Sequence, residues 1–181
     1  MAEMKGDLMD DLNLIFSRKS VRHFQRGKAI DKDKLKLLVQ AGMSAPSAVN
    51  IQPWEFIAVT DTRLLEALAD RLPNAAMLRE ASAAIIVCGD PRKDERGIAD
   101  KFWVQDCSAA TENILLAAEA LGLGAVWTGL YPNQERIADI RPLLSLPERI
   151  IPLNVIPLGY PAEKVLPKDK WDEKRLHWET W

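Results

Sequence analysis

Arg18, Ser20 and Arg22 alternate in the stretch SRKSVRHF, with Lys19 among them. In extended backbone, residues two apart project to the same side, so two guanidinium groups and a hydroxyl would share a face. That set suits a phosphate, because arginine offers a planar fork that can pair with two oxygens at once. Taken alone, the cluster reads better as a solvated basic loop. A second alternating pair, Lys168 and Lys170, lies far along the chain and by itself reads as surface charge. The stretch APSAVNIQPWEF raises a different question. It puts two prolines, a serine, an asparagine and a glutamine into a connection between a helix-like run ending at Ala45 and a strand-like run beginning near Trp54. A simple turn would not need so many hydrogen-bonding groups fixed by two prolines.

GLGAVWTG holds Gly122, Gly124 and Gly129, yet it is not a dinucleotide fingerprint. A Rossmann loop follows a strand and opens a helix, whereas this stretch follows a helix and opens a strand. Gly122 and Gly124 fit a helix stop, while Gly129 falls inside a strand, where glycine marks close approach by a ligand or backbone. No serine, histidine and acid arrangement stands out. The two histidines, His23 and His177, lack metal-like spacing to cysteine or acid, and no metal site is expected. With no side chain supplying a nucleophile, an enzyme built this way needs a bound cofactor to carry the reaction.

The totals bound these readings. A chain of 181 residues suffices for one domain that buries roughly 70% of its unfolded surface. With 48% hydrophobic and 28% charged residues, a net charge of -2 and a pI near 5.8, it lacks the basic excess of a nucleic-acid binder. No apolar run approaches the roughly 20 residues needed to span a membrane. The opening MAEMKGDLMDDLNLIF is acidic and interrupted, so it does not read as a signal peptide, and a cytoplasmic location is expected. Cys88 and Cys107 read as buried free thiols rather than a disulfide framework.

Several elements must position the chemistry. Leu8, Leu12, Ile15 and Phe16 recur at helical spacing and predict an opening helix. A second helix fits DKDKLKLLVQAGMSA, capped by Asp31 or Asp33, with Leu35, Leu38, Val39 and Gly42 on one face. WEFIAVT reads as a strand, and Asp61 then caps TRLLEALADRL. AAIIVCGD is a continuous apolar run of strand length, which implies burial on both faces. The longest helix spans 100–122 and is apolar nearly all round in its second half, so it should be central or buried between subunits. AVWTGL and IPLNVIPLG follow as strands, with a shorter helix near NQERIADIRPLL. Residues 160–181 lose all periodicity but carry three tryptophans, which predicts an arm that packs on something rather than a disordered tail. Alternation of helices and strands would, by itself, predict a parallel α/β sheet.

In order, SRKSVRHF, APSAVNIQPWEF, KFWVQDCSAATENILLAAEALGLGAVWTGLYP, PLGYPAEKVLPKDKW and HWETW resemble the landmarks of the FMN-dependent nitroreductase family over nearly the whole chain. The resemblance implies an α+β fold in place of the parallel sheet. It is a three-layer sandwich with a mixed, largely antiparallel sheet flanked by helices, in an intertwined homodimer with FMN at the subunit interface. Residues 1–181 would form one domain, with 160–181 as a C-terminal arm. It further implies that Arg18, Ser20, Lys168 and Lys170 hold the FMN phosphate, with Lys19 nearby through its backbone. Arg22 would be the cation beside the N1/O2 edge of the flavin, where it raises the reduction potential. Pro46, Ser47, Ala48 and Asn50 would line the flavin site across the interface, with Gln52 either helping or bracing the loop. Backbone donors of Trp127, Thr128 and Gly129 would approach flavin N5, and Asn74 is a further candidate contact. The only connection between Asp90 and the long helix is PRKDERGIAD, where larger members carry extra helices, so the substrate pocket is expected to be open.

The implied activity is NAD(P)H-dependent, ping-pong hydride transfer through flavin N5 to a small-molecule acceptor such as a nitroaromatic or a quinone. Two alternatives share the scaffold: a flavin-binding or storage protein without turnover, and a dedicated reductive dehalogenase or flavin-fragmenting enzyme.

Overall fold

The computed structural model describes residues 12–181. Residues 12–17 are helical (α1), and Leu8 of the predicted opening helix lies outside the described residues. Helix α2 (Lys32–Met43) starts where Asp31 accepts a hydrogen bond from the Asp33 N–H, and it buries Leu35, Leu38 and Gly42. Strand β1 (Trp54–Val59) leads to α3 (Thr62–Arg71), capped by Asp61 through the Leu64 N–H. A 3-10 segment (Pro73–Arg79) precedes β2 (Ala83–Gly89), every residue of which is buried. Helix α4 (Ile98–Ala120) begins two residues before the sequence places it, because the Asp94 carboxylate reaches forward to the Ile98 and Ala99 N–H groups. The short β3 (Gly124–Ala125) and β4 (Thr128–Gly129), helix α5 (Gln134–Ile140) and strand β5 (Ile151–Gly159) complete the body.

The sheet order is β1-β2-β5-β3, with β4 also on β5, and all these strand pairs are antiparallel. The parallel sheet suggested by alternation is therefore not what forms. The reason lies in the connections. Helix α3 travels about 15 Å and the 3-10 segment about 14 Å. Packed on each other, they cancel, and the chain re-enters the sheet at the end where β1 left it. Strands β2 and β3, joined by the single helix α4, do run the same way, but β5 inserts between them in the opposite sense.

Strand β2 shows why the sandwich has three layers. Ala83, Ile85 and Val87 face a core made with α2 and α4, including Leu38, Ala110 and Ile114. Ala84, Ile86 and Cys88 face a second core made with α3, the 3-10 segment and α5, including Leu68, Leu78 and Ile140. The period of two in a strand sends alternate residues to opposite faces, so an all-apolar strand needs a cover on both.

The predicted strand AVWTGL is interrupted. Ala125 pairs with Leu158 and Thr128 with Val155, while Trp127 between them turns outward. The Thr128 hydroxyl donates to the Val155 carbonyl at 2.7 Å, which fixes the second half.

One glycine pair sets the position of the basic segment. Gly124 and Gly159 are register partners, and the Val21 and Phe24 side chains rest on them. A Cβ on Gly124 would lie 2.7 Å from Val21 Cγ1, and one on Gly159 would lie 2.8 Å from Phe24 Cδ1. The sequence reading gave Gly122 and Gly124 a single job as a helix stop; only Gly122, at φ 69°, does that. With Val21 seated, its N–H donates to the Ala125 carbonyl at 2.9 Å, and Ser20 forms a parallel bridge with Ala125. The arm enters alongside, with Phe24 bridging Pro161 and the Ala162 N–H donating to the His23 carbonyl. Gly124→Ala is expected to cost about 1–3 kcal/mol by overpacking Val21. Gly129→Ala, whose Cβ meets open space, should stay within about 0.5 kcal/mol of the parent. Chemical denaturation of both variants checks the contrast.

Candidate functional site

The residues singled out from the two ends of the chain converge. Arg18, Lys19, Ser20 and Arg22 line one cavity of about 170 Å³ with Val165, Leu166, Lys168 and Lys170. Neither cluster would be more than surface charge by itself; the bridge of Phe24 to Pro161 carries the arm back across residues 18–22 and brings the two together. The donor set is cationic and hydroxylic, which fits a phosphate dianion. The cations are partly committed. Arg18 Nε pairs with Glu112 Oε1 at 3.0 Å, with the Arg18 side chain only 18% exposed. The Lys19 side chain is bound to Glu119.

The loop after α2 forms a second, separate group. Residues Ala48–Asn50 make a single 3-10 turn. Val49, Asn50 and Gln52 all have positive φ, at 43°, 58° and 56°. Asparagine tolerates this region, but a β-branched valine does so only under strain. The loop is held by its own polar groups. The Gln52 N–H donates to Ser47 Oγ at 2.9 Å, and Gln52 Nε2 donates to Asn50 Oδ1 at 3.1 Å. Both bonds are of the bracing kind, one of the two roles open to Gln52. The Ala48 N–H donates to Asp106 Oδ1 of α4 at 3.0 Å. Pro46, Val49 and Asn50 are exposed, so the loop offers its outer side to an incoming group.

A third group lies at the broken strand. Thr128 and Gly129 share a shallow recess with Leu72, Asn74, Ala75 and Arg136, which brings the candidate Asn74 beside Gly129. Arg136 Nη1 donates to the Gly129 carbonyl at 3.3 Å. The Gly129 flank is open where a Cβ would stand, as a cradle for a planar ring requires. Trp127, 37% exposed, stands next to it. The connection 90–97 between β2 and α4 carries no helix.

The sequence reading missed Asp106, Glu112, Glu119 and Arg136. Asp106 did leave a signal: it is an acid in a helix that must be buried on most sides. It is 6% exposed, burial pushes its carboxyl above the usual range, and the Ala48 N–H opposes that shift. Burial raises both thiols too, Cys88 to about 12, so they are inert packing groups. No three His, Cys, Asp or Glu side chains among the described residues group as a metal ion would require.

With this geometry in hand, comparison with known proteins is decisive. The nitroreductase family model matches residues 15–76 and 69–160. The chain belongs to the nitroreductase family. A relative in Methanothermobacter thermautotrophicus, provisionally named an NADH dehydrogenase/NAD(P)H nitroreductase, is 46% identical over 98% of this chain and 91% of its own length. A crystal structure of a provisionally named NADH dehydrogenase/NAD(P)H nitroreductase from Bacteroides thetaiotaomicron superposes with a TM-score of 0.87 at 50% identity, covering 94% of this chain and 97% of that one. An FMN-dependent nitroreductase from Clostridium difficile superposes with a TM-score of 0.83 at 26% identity, covering 93% and 98%. The antiparallel three-layer architecture is thus that of the family.

The strained turn is testable without any ligand. Val49 is 65% exposed, so glycine there removes strain while losing little contact. Val49→Gly should stabilise the protein by about 1 kcal/mol, the order of the strain at one such residue, read as a higher denaturation midpoint.

Proposed function

We propose that this chain is an NAD(P)H-dependent FMN oxidoreductase that passes hydride from a nicotinamide donor to a small acceptor of the quinone or nitroaromatic type. The observation that carries the reading is the cavity where Arg18, Ser20, Arg22, Lys168 and Lys170 meet from opposite ends of a chain of this family. FMN, when bound, supplies the hydride-accepting and hydride-donating ring. Everything else falls to the protein.

Arg18, Ser20, Lys168 and Lys170 hold the phosphate. Arg18 leaves an exposed carboxylate, Glu112, for a dianion, an exchange that costs little because half-solvated ion pairs are weak. Arg22 makes no ion pair among the described residues, so its full charge is available to favour negative charge on the reduced ring. Thr128 has its hydroxyl committed to Val155 and offers its backbone only, beside Trp127 and the open flank of Gly129. Pro46, Ser47, Ala48 and Asn50 complete the site.

The last group is the reason to place two chains in the active unit. The phosphate cavity is lined by residues 18–22 and 165–170, whereas the 46–50 loop is tied to α4 at Asp106. A homodimer would supply the loop of one protomer to the cavity of the other. Exposed Phe16, Phe102, Trp171, Trp178 and Trp181 are apolar surface for such an interface. No helix among the described residues is long and apolar enough to cross a membrane, and two buried free thiols fit a reducing compartment such as the cytoplasm.

Two experiments test the roles. Arg18→Ala and Lys168→Ala should each weaken FMN binding roughly 10- to 100-fold, the worth of a charge-assisted hydrogen bond, and leave riboflavin binding nearly unchanged. Equal loss for both ligands would remove these residues from the phosphate. Separately, anaerobic NADH or NADPH should bleach the flavin absorbance of the parent. In Arg22→Ala the flavin potential should fall by roughly 30 mV or more, a tenfold shift for a two-electron couple. An unchanged potential refutes the role of Arg22, and a spectrum that persists with both donors refutes turnover.

A further inference from the structure

We propose that Asp106 is a positioning residue for the cofactor, holding the 46–52 loop from the middle of α4 in the shape that presents Ser47, Ala48 and Asn50 to FMN. The proposal rests on the reading of this loop as part of the FMN site. Three observations support it, and each is independent of that reading. Asp106 is a carboxylate in the interior, only 6% exposed, on a helix that otherwise buries Trp103, Cys107, Ala110 and Ile114. A group of that kind is costly to bury and persists where it satisfies something that nothing else can reach. Among the described residues it accepts one hydrogen bond, from the Ala48 N–H at 3.0 Å, at the first residue of the 3-10 turn. Its other oxygen, Oδ2, is buried without a partner among the described residues, so the carboxyl serves no wider polar network there.

The loop needs such an anchor. Val49, Asn50 and Gln52 sit at positive φ, a conformation an unrestrained chain of these residues would leave. The bracing inside the loop, Gln52 to Ser47 and Gln52 to Asn50, keeps its shape but does not fix it to the body. The Asp106 to Ala48 bond does, because α4 is the most deeply packed helix of its layer. The strain is thereby held in place before the ligand arrives, and FMN binding is spared the ordering of a mobile loop.

The test uses Asp106→Ala and Asp106→Asn in the full chain, with Asn50→Ala as reference. Asparagine keeps an acceptor for the Ala48 N–H; alanine does not. Should Asp106→Ala fail to fold, Asp106→Ser, too short to span the gap, takes its place. Two quantities are read: hydrogen exchange of the 47–52 amides in the flavin-free protein, and the FMN dissociation constant. Loss of the anchor should speed exchange at Ala48 and weaken FMN roughly tenfold each, the order expected for a hydrogen bond to a charged group, with asparagine restoring both. Unchanged exchange in the alanine variant overturns the proposal, as does an asparagine variant that falls with it. Faster exchange with unchanged FMN affinity also overturns it. In that case Asn50→Ala decides what failed. If Asn50→Ala weakens FMN, the loop holds the cofactor without needing Asp106; if it does not, the placement of the loop in the FMN site falls too.

Discussion

Gly124 and Gly159 sit opposite each other in neighbouring strands, and neither has a side chain. That absence creates a flat floor at the end of the sheet, and Val21 and Phe24 fill it at distances no Cβ would permit. The basic segment 18–22 has no helix or strand of its own beyond one bridge. It is fixed because its apolar neighbours are. The arm is then placed by the same residues, since Pro161 pairs with Phe24 and Ala162 with His23. A cationic cavity assembled from two distant parts of the chain thus depends on steric space at two glycines.

Helix α4 is the second organising element. Its inner face closes one core of the sandwich through Trp103, Cys107, Ala110, Ile114 and Ala118. Three acids on the same helix each hold a different part of the candidate site: Asp106 the 46–50 loop, Glu112 the Arg18 guanidinium and Glu119 the Lys19 ammonium. Their burial differs, and so do their consequences. Glu112, with its side chain 47% exposed, holds Arg18 in an ion pair open to water and therefore weak. Asp106, nearly excluded from water, cannot let go of Ala48 without leaving a buried carboxyl oxygen unsatisfied. One helix therefore provides a replaceable contact at the cavity and a fixed one at the loop.

Much was legible in the sequence. Asp31 and Asp61 announce their helices because a cap is a local event, a side chain bonding an N–H two or three residues on. The all-apolar β2 announces a layer on each face, for the pleat admits no other arrangement. The spacing of Arg18, Ser20, Arg22, Lys168 and Lys170 suggested anion chemistry, and the family landmarks tied them to a cofactor. Strand direction was not legible. Alternating elements look the same whether a crossover returns or not, and only the packing of the 3-10 segment Pro73–Arg79 back along α3 turns β2 around. The interruption at Trp127 and the steric use of Gly124 were equally hidden, because each depends on a neighbour distant in the chain.

By itself, then, the sequence determined the residue types available for chemistry, the helices and strands that carry them and the family they belong to, all of which rest on local spacing. The tertiary structure decided which of those residues meet. It joined residues 18–22 to 165–170, tied the 46–50 loop to Asp106 and set Asn74 beside Gly129. Such meetings are fixed by packing volume and by the burial of polar groups, and neither quantity exists until the chain has folded on itself.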